Sequence, residues 1–326
     1  MIDYYGREID YLRISITDRC NLRCVYCMPE SGIESIPHTE ILSYDEILRI
    51  CKIVATLGIK KIKITGGEPL VRRDVAVLVE NIKKIPEIDE VTLTTNGILL
   101  DTVLEDLLHS KIDGINISLD AWDKETYQQI TRFDYFHRVQ ENIMTVLQHP
   151  DIKVKLNCVP LLGHEQNLIE LASLAKDYPI HVRFIEIMPI GYGKQFDFLS
   201  EDAIITLLSE ELGKLKPYNE ALGNGPSHYF TIEGFHGKIG FISALSHRFC
   251  ETCNRIRLTS QGFLKTCLQY ETGVDIKALL RGNKNDREIQ NVIEKTIFAK
   301  PEGHVFLTKS FTDEQENQSA MNKIGG

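Results

Sequence analysis

No part of the sequence is apolar for long enough to cross a bilayer. A membrane helix needs about 20 apolar residues in succession, and the stretch 47–59 is interrupted by Arg49 and Lys52. The opening residues, MIDYYGREIDYLRIS, lack the basic segment and apolar core of a secretory leader. Basic side chains are in the minority: 37 Lys and Arg stand against 46 Asp and Glu. The net charge of -9 argues against broad nucleic-acid or membrane-surface binding. None of the ten histidines forms a paired metal motif such as H-E-x-x-H. The expectation is a cytoplasmic chain with a small-molecule partner, no nucleic acid and no membrane.

Eight cysteines in such a chain stay reduced, so a disulfide framework is the weaker reading. They sort by position. Cys20, Cys24 and Cys27 form one trio, Cys250, Cys253 and Cys267 another, and Cys51 and Cys158 stand alone in apolar surroundings, where a thiol packs as a small core residue.

Between residues 10 and about 190, short β-branched runs alternate with amphipathic stretches. Runs at 11–17, 60–65, 90–95, 113–119, 152–159 and 181–187 read as six parallel strands. Helices are expected over 43–57, 74–84, 102–110, 138–149 and 166–177. The first shows the signals well: Ser43 and Glu46 make a capping box, Ile47, Ile50, Cys51 and Val54 share one face, and Gly58 ends it. Alternating strands and helices with right-handed crossovers predict an α/β fold, a partial (β/α)6 TIM-type barrel. After a helix at 200–212 the pattern turns to short strands, 228–233, 238–243, 255–259 and 263–267, which predict a C-terminal antiparallel extension. Helices at 275–281 and 287–299 follow. The expected divisions are a barrel over 1–199, the extension over 200–312 and a polar tail over 313–326.

The first trio, C-x3-C-x2-C, falls in the loop after the first strand, at the C-terminal mouth where barrels of this kind place their active sites. Three thiolates can hold three irons of a [4Fe-4S] cluster and leave the fourth iron open. A structural zinc site would want a fourth protein ligand, and no histidine lies in this loop. Thr65-Gly66-Gly67-Glu68-Pro69 closes the second strand in a turn that lets a ligand approach the backbone. The cysteine loop and the glycine turn together resemble the radical S-adenosylmethionine superfamily. That resemblance implies that Cys20, Cys24 and Cys27 hold the cluster. It also implies that S-adenosylmethionine is bound beside it.

The second trio, C-x2-C-x13-C, also offers three thiolates. Arg255 and Arg257 follow Cys253 at two-residue spacing, and the chain ends in Gly325-Gly326. A second cluster with an open iron is one reading, and zinc with a distant histidine such as His247 is the other. These features, spread over essentially the whole chain, resemble the GTP 3',8-cyclase family, which opens molybdenum cofactor synthesis. The resemblance implies that Tyr26, Gly67, Ser118 and Met188 contact S-adenosylmethionine. It places a second [4Fe-4S] cluster on Cys250, Cys253 and Cys267, with GTP on its open iron. It assigns GTP contacts to Arg13, Lys63, Thr94, Lys155, Arg255 and Arg257, puts Lys61 and Arg183 near the phosphates, and gives Arg257, Gly325 and Gly326 a catalytic part. An electron donor, and a cyclic pyranopterin monophosphate synthase acting on the product, are the further partners implied, and a homodimer is an open alternative to a monomer. Many relatives have arginine where Lys63 stands, and lysine keeps the charge without the bidentate fork.

Strand alternation supports an anionic substrate independently. Lys61 and Lys63 share one face of their strand while Ile62 and Ile64 share the other, and Arg13 lies opposite Leu12 and Ile14. With the apolar side against the helices, the cations face the barrel interior, where a triphosphate would pair with them. Two other readings compete. A peptide-modifying radical enzyme with auxiliary clusters leaves Arg255, Arg257 and the terminal glycines unexplained. A zinc-binding or iron-sensing protein leaves the glycine turn and the interior cations without a role.

Overall fold

The computed structural model describes residues 1–34 and 36–306. Six strands come first: β1 (Tyr11–Ser15), β2 (Lys61–Thr65), β3 (Glu90–Thr95), β4 (Gly114–Ser118), β5 (Lys153–Cys158) and β6 (His181–Ile185). They pair in parallel in chain order. Between them lie α1 (Tyr44–Thr56), α2 (Val75–Lys83), α3 (Leu100–His109), α4 (Lys124–Thr131), α5 (Phe136–Val146) and α6 (Glu165–Asp177). This is the partial barrel expected. Its core lies between strands and helices, where Leu12, Ile14, Ile62 and Ile64 meet Ile47, Ile50 and Val54 of α1, all at most 1% exposed. Each such side chain contributes about 1.5–3 kcal/mol of transfer free energy.

Local signals act as expected in α1. Ser43 Oγ accepts from Glu46 N at 3.1 Å, and Ser43 N donates to Glu46 Oε2 at 2.7 Å. Gly58 ends the helix at φ +90°, a conformation that favours glycine. Cys51 and Cys158 are fully buried in the core. Helix α4 was not expected, because only Tyr127, Ile130 and Thr131 of its eight residues are buried and the rest are polar. Asp123 starts it by accepting from Thr126 N at 2.9 Å.

The remaining elements are α7 (Glu201–Leu212), β7 (Lys216–Tyr218), β8 (His228–Thr231), β9 (Ile239–Ile242), β10 (Arg255–Leu258), β11 (Phe263–Lys265), β12 (Gly273–Asp275), α8 (Ile276–Arg281) and α9 (Asp286–Phe298). The antiparallel extension exists, and it attaches to both edges of the barrel. Strand β9 adds to β6 in parallel and carries β8 and β7 antiparallel beyond it, while β10 adds to β1 in parallel and carries β11 and β12. Both barrel edges are thereby paired. This arrangement also sets the ends of the molecule. Cys20, Cys24 and Cys27 follow β1 and so lie at the C-terminal end of the parallel strands. Cys250 and Cys253 precede β10, parallel to β1, and Cys267 follows the antiparallel β11, so the second trio lies at the opposite end. Among the described residues no helix is long and apolar enough to cross a membrane.

Candidate active site

The sheet face turned away from the helices lines one cavity, running from Lys153 and Glu90 at the strand starts to Gly66, Gly67 and Ser118 at their ends. Register explains its charge. Arg13 of β1 pairs across to Arg257 of β10 on one side and Lys63 of β2 on the other, and all three line the cavity. Like charges side by side on neighbouring strands destabilise a sheet. Lys155 of β5 and Arg183 of β6 add two more buried cations. Arg183 donates to the side-chain oxygens of Asn116 at 3.0 Å and Asn157 at 2.9 Å, neutral partners that orient it without cancelling its charge. Lys63, only 8% exposed, has no hydrogen-bond or salt-bridge partner among the described residues. Burial, followed by the charges of Arg183, Arg13 and Lys155, holds its ammonium well below the usual lysine range. Burial and Arg183 likewise bring Lys155 down to about 8. A polyanion in the cavity would offset the cost of gathering these cations.

At the C-terminal mouth, Cys20, Cys24 and Cys27 line the cavity on a loop held by its own backbone. Cys27 N donates to Cys24 O at 2.9 Å, and Val25 N to Ile130 O of α4 at 2.9 Å. The glycine turn packs straight onto this loop, with Gly67 N donating to Thr17 O at 2.7 Å and Glu68 N to Arg19 O at 2.8 Å. A Cβ on Gly67 would fall 2.5 Å from Arg19 O and 2.6 Å from Asp18 O, so glycine is required there for backbone packing as well as for ligand approach.

Two carboxylates stand beside the trio: Glu68, which the sequence places within the glycine turn without a role of its own, and Asp120, which sequence reasoning missed. Glu68 accepts from Leu70 N at 2.9 Å, Thr95 Oγ1 at 2.7 Å and Asn96 N at 2.6 Å, yet burial pushes it up to about 7. Asp120 accepts from Tyr26 Oη at 2.6 Å and Val159 N at 2.8 Å, and burial pushes it up to about 6. Asp120 could have been found by alternation, since Asn116, Ser118 and Asp120 fall on one face and all line the cavity. Burial also pushes the Cys20 thiol up to about 12, with Glu68 adding to it, and Cys24 well above the thiol range, with Asp120 adding. Bound iron would reverse this, because a coordinating thiol is deprotonated. Three thiols on one loop fit three irons of a four-iron cluster.

At the other end the surroundings are cationic. Arg255 Nη2 lies 3.8 Å from Cys253 Sγ. Against the upward push of burial, Arg255 and then Lys300 bring the Cys253 thiol down to about 6. Lys300 donates to the carbonyls of Arg255 at 3.0 Å and of Thr266, and Arg7 to those of Cys250 at 2.9 Å and Pro301 at 2.7 Å. These cations clamp the segments carrying the trio. The cavity wall here is formed by Arg255, Arg257 and Leu268, and Cys250, Cys253 and Cys267 are not among the residues that line it. His247, the candidate zinc ligand, instead faces Glu201 at 3.4 Å and Ser246 Oγ at 3.2 Å.

The structure thus brings Tyr26, Gly67, Ser118, Met188, Arg13, Lys63, Thr94, Lys155, Arg183, Arg255 and Arg257 to one cavity. Lys61 is a correction. It does not line the cavity, and its ammonium pairs with Asp10 Oδ2 at 2.6 Å, because it opens β2 at the sheet's rim where a carboxylate is in reach. Gly325 and Gly326 lie outside the described residues.

Comparison with known proteins bears on this cavity directly. Residues 14–176 match the model of the radical SAM superfamily, and residues 180–306 match that of Molybdenum Cofactor Synthesis C. The "GTP 3',8-cyclase" of Clostridium perfringens (strain 13 / Type A) is 45% identical over 327 residues, covering 100% of both chains. The chain belongs to the GTP 3',8-cyclase family. The protein of the same description from Syntrophomonas wolfei is 43% identical over 330 residues, again covering 100% of both. Among solved structures, Streptococcus suis SuiB bound to precursor peptide SuiA is similar at a TM-score of 0.61 and 16% identity, covering 91% of this chain and 66% of that one. At that identity the likeness concerns the fold alone. Membership of the GTP 3',8-cyclase family makes the chain a radical S-adenosylmethionine enzyme with a [4Fe-4S] cluster.

Proposed function

We propose that this chain cyclises GTP to 3',8-cyclo-7,8-dihydro-GTP in the first step of molybdenum cofactor synthesis, holding the nucleotide in the cavity between two [4Fe-4S] clusters. The observation that carries the reading is the row Arg257, Arg13 and Lys63, which lies between cysteine trios at opposite ends of one sheet. When bound, the first cluster and S-adenosylmethionine supply a 5'-deoxyadenosyl radical able to take a hydrogen atom from the substrate. The chain's own residues do the rest. Cys20, Cys24 and Cys27 hold that cluster, and Tyr26, Gly67, Ser118 and Met188 fix S-adenosylmethionine at the mouth. Cys250, Cys253 and Cys267 hold the second cluster next to the guanine base, in a setting whose cations favour thiolate. Arg13, Lys63, Lys155, Arg183, Arg255 and Arg257 bind the anionic nucleotide with Thr94, so that the ribose 3'-hydrogen faces the mouth. The enclosing walls exclude water and stray hydrogen donors.

Residues 1–199 would form the radical unit and 200–312 the unit of the second cluster; the second family match begins earlier, at residue 180. Arg257 and the terminal Gly325-Gly326 are assigned to catalysis through the family resemblance. The remaining partners proposed are a separate electron donor and a cyclic pyranopterin monophosphate synthase that takes the product, in the cytoplasm, with a monomer and a homodimer both compatible. The test is anaerobic reconstitution with iron and sulfide, then incubation with S-adenosylmethionine, a reductant and each nucleoside triphosphate in turn. About eight irons per chain and a cyclised product from GTP alone are expected. Stoichiometric zinc at the second trio, or equal turnover of ATP, would contradict the reading.

A further inference from the structure

The stretch 219–227 between β7 and β8 contains no helix or strand, and sequence reasoning gave it no role. Yet Leu222, Gly223, Asn224, Gly225 and Pro226 line the cavity. Three contacts hold them there. Asn224 Nδ2 donates to Glu90 Oε2 at 2.6 Å, Lys155 Nζ donates to the Leu222 carbonyl, and Asn254 Nδ2 donates to the Asn224 carbonyl at 3.4 Å. Glu90 begins β3 and Lys155 is the third residue of β5, so the loop forms the cavity floor at the start of the strands.

Two properties of this floor point to an anion. The backbone N–H groups of Leu222, Gly223, Asn224 and Gly225 have no acceptor among the described residues. Consecutive free amides of this kind form anion-binding concavities. Glu90 keeps its negative charge and opposes phosphate, and the Asn224 amide holds its Oε2 in place at the edge of the floor. Secondly, Lys155 has only a neutral carbonyl as its hydrogen-bond partner, and a phosphate would replace that partner with a charged one. Gly223 fits the same arrangement, since a Cβ there would strike the Lys155 ammonium.

We infer that the 222–225 loop is the polyphosphate end of the substrate site: its backbone amides, together with Lys155, hold the terminal phosphates and make binding depend on phosphate chain length. This rests on the nucleotide site proposed above. GMP would reach the arginines near the second trio without reaching the floor, whereas GTP would engage both.

The test is equilibrium binding of GTP, GDP and GMP to the full-length, anaerobically reconstituted protein and to its Asn224→Ala and Gly223→Ala variants. Iron content and thermal unfolding check that each variant is folded. The first variant frees the loop from Glu90, and the second displaces the Lys155 ammonium and also strains the backbone at φ +159°. Both should bind GTP about tenfold more weakly, the equivalent of one charge-assisted hydrogen bond, and GMP with less than about a twofold change. GDP should fall between. A wild-type ratio of GTP to GMP affinity in both variants, whether the two nucleotides bind normally or weaken in parallel, would overturn the inference and leave the nucleotide site standing. Failure of the wild-type protein to bind GTP would overturn the site and the inference together.

Discussion

The two cysteine trios offer the same donors in opposite electrostatic settings. At the mouth, burial and then the neighbouring carboxylates, Glu68 for Cys20 and Asp120 for Cys24, push the thiols upward. At the far end, Arg255 and Lys300 pull Cys253 down to about 6. Three thiolates and a cluster at the mouth would add negative charge to a site that already holds it, and such a site favours a cationic ligand. S-adenosylmethionine, with its sulfonium and ammonium, is one. The far end favours anions, both thiolate and nucleotide. Under the proposed function, similar motifs in the sequence serve different ligands, and the difference lies in what the fold packs around them.

The sharpest way to break the comparison is at the mouth. Cys24→Ser should abolish reductant-dependent cleavage of S-adenosylmethionine, read as 5'-deoxyadenosine release, while the second trio still holds about half the wild-type iron. Next in size is the cation row. Lys63→Met removes a buried ammonium without leaving a cavity, and GTP affinity should fall about 10- to 100-fold, for about 1.5–3 kcal/mol of lost charge-assisted hydrogen bonding. Isothermal titration of the reconstituted protein would measure it, and an unchanged affinity would place the phosphates elsewhere.

The fold was largely legible because the helices and strands carry local signals. Ser43 and Glu46 announce α1, and the alternation of Leu12, Arg13 and Ile14 announces a strand with one apolar face and one charged face. The parallel attachment of β10 to β1 was not legible. It depends on the pairing of Arg255 through Leu258 with residues about 240 positions earlier, and periodicity within a segment cannot reveal its partner. The same holds for Lys61, whose strand position suggested the cavity and whose neighbour Asp10 claims it. Asp120 and the 222–225 floor escaped notice for a related reason, since neither lies in a recognisable motif and both gain their roles from what the fold brings beside them.

Smaller effects sharpen the contrast. Asp120 has a raised folded-state value near 6, so the folded apo-protein holds a proton there that the unfolded chain has already released above about pH 4. Stability should therefore fall as pH rises from about 4 to 6. Asp120→Asn should flatten that part of the curve by an amount on the order of 2 kcal/mol, measured as urea midpoints of the apo-protein across the range. A variant curve parallel to the wild type would mean that the carboxylate is not desolvated. The smallest expected effect is in thiol chemistry. In metal-free protein at pH 7, iodoacetamide should label Cys253 ahead of Cys20 and leave the buried Cys51 and Cys158 unmodified, as followed by peptide mass spectrometry.

The central claim is that the mouth makes the radical and the far end holds the nucleotide, and Cys267→Ser tests it most directly. Cleavage of S-adenosylmethionine and formation of cyclised product would be measured in the same anaerobic reaction with GTP. The account predicts that 5'-deoxyadenosine still appears while the cyclised product does not, and that GTP affinity falls. Normal cyclisation of GTP by this variant would contradict it, and would make the second trio a structural element.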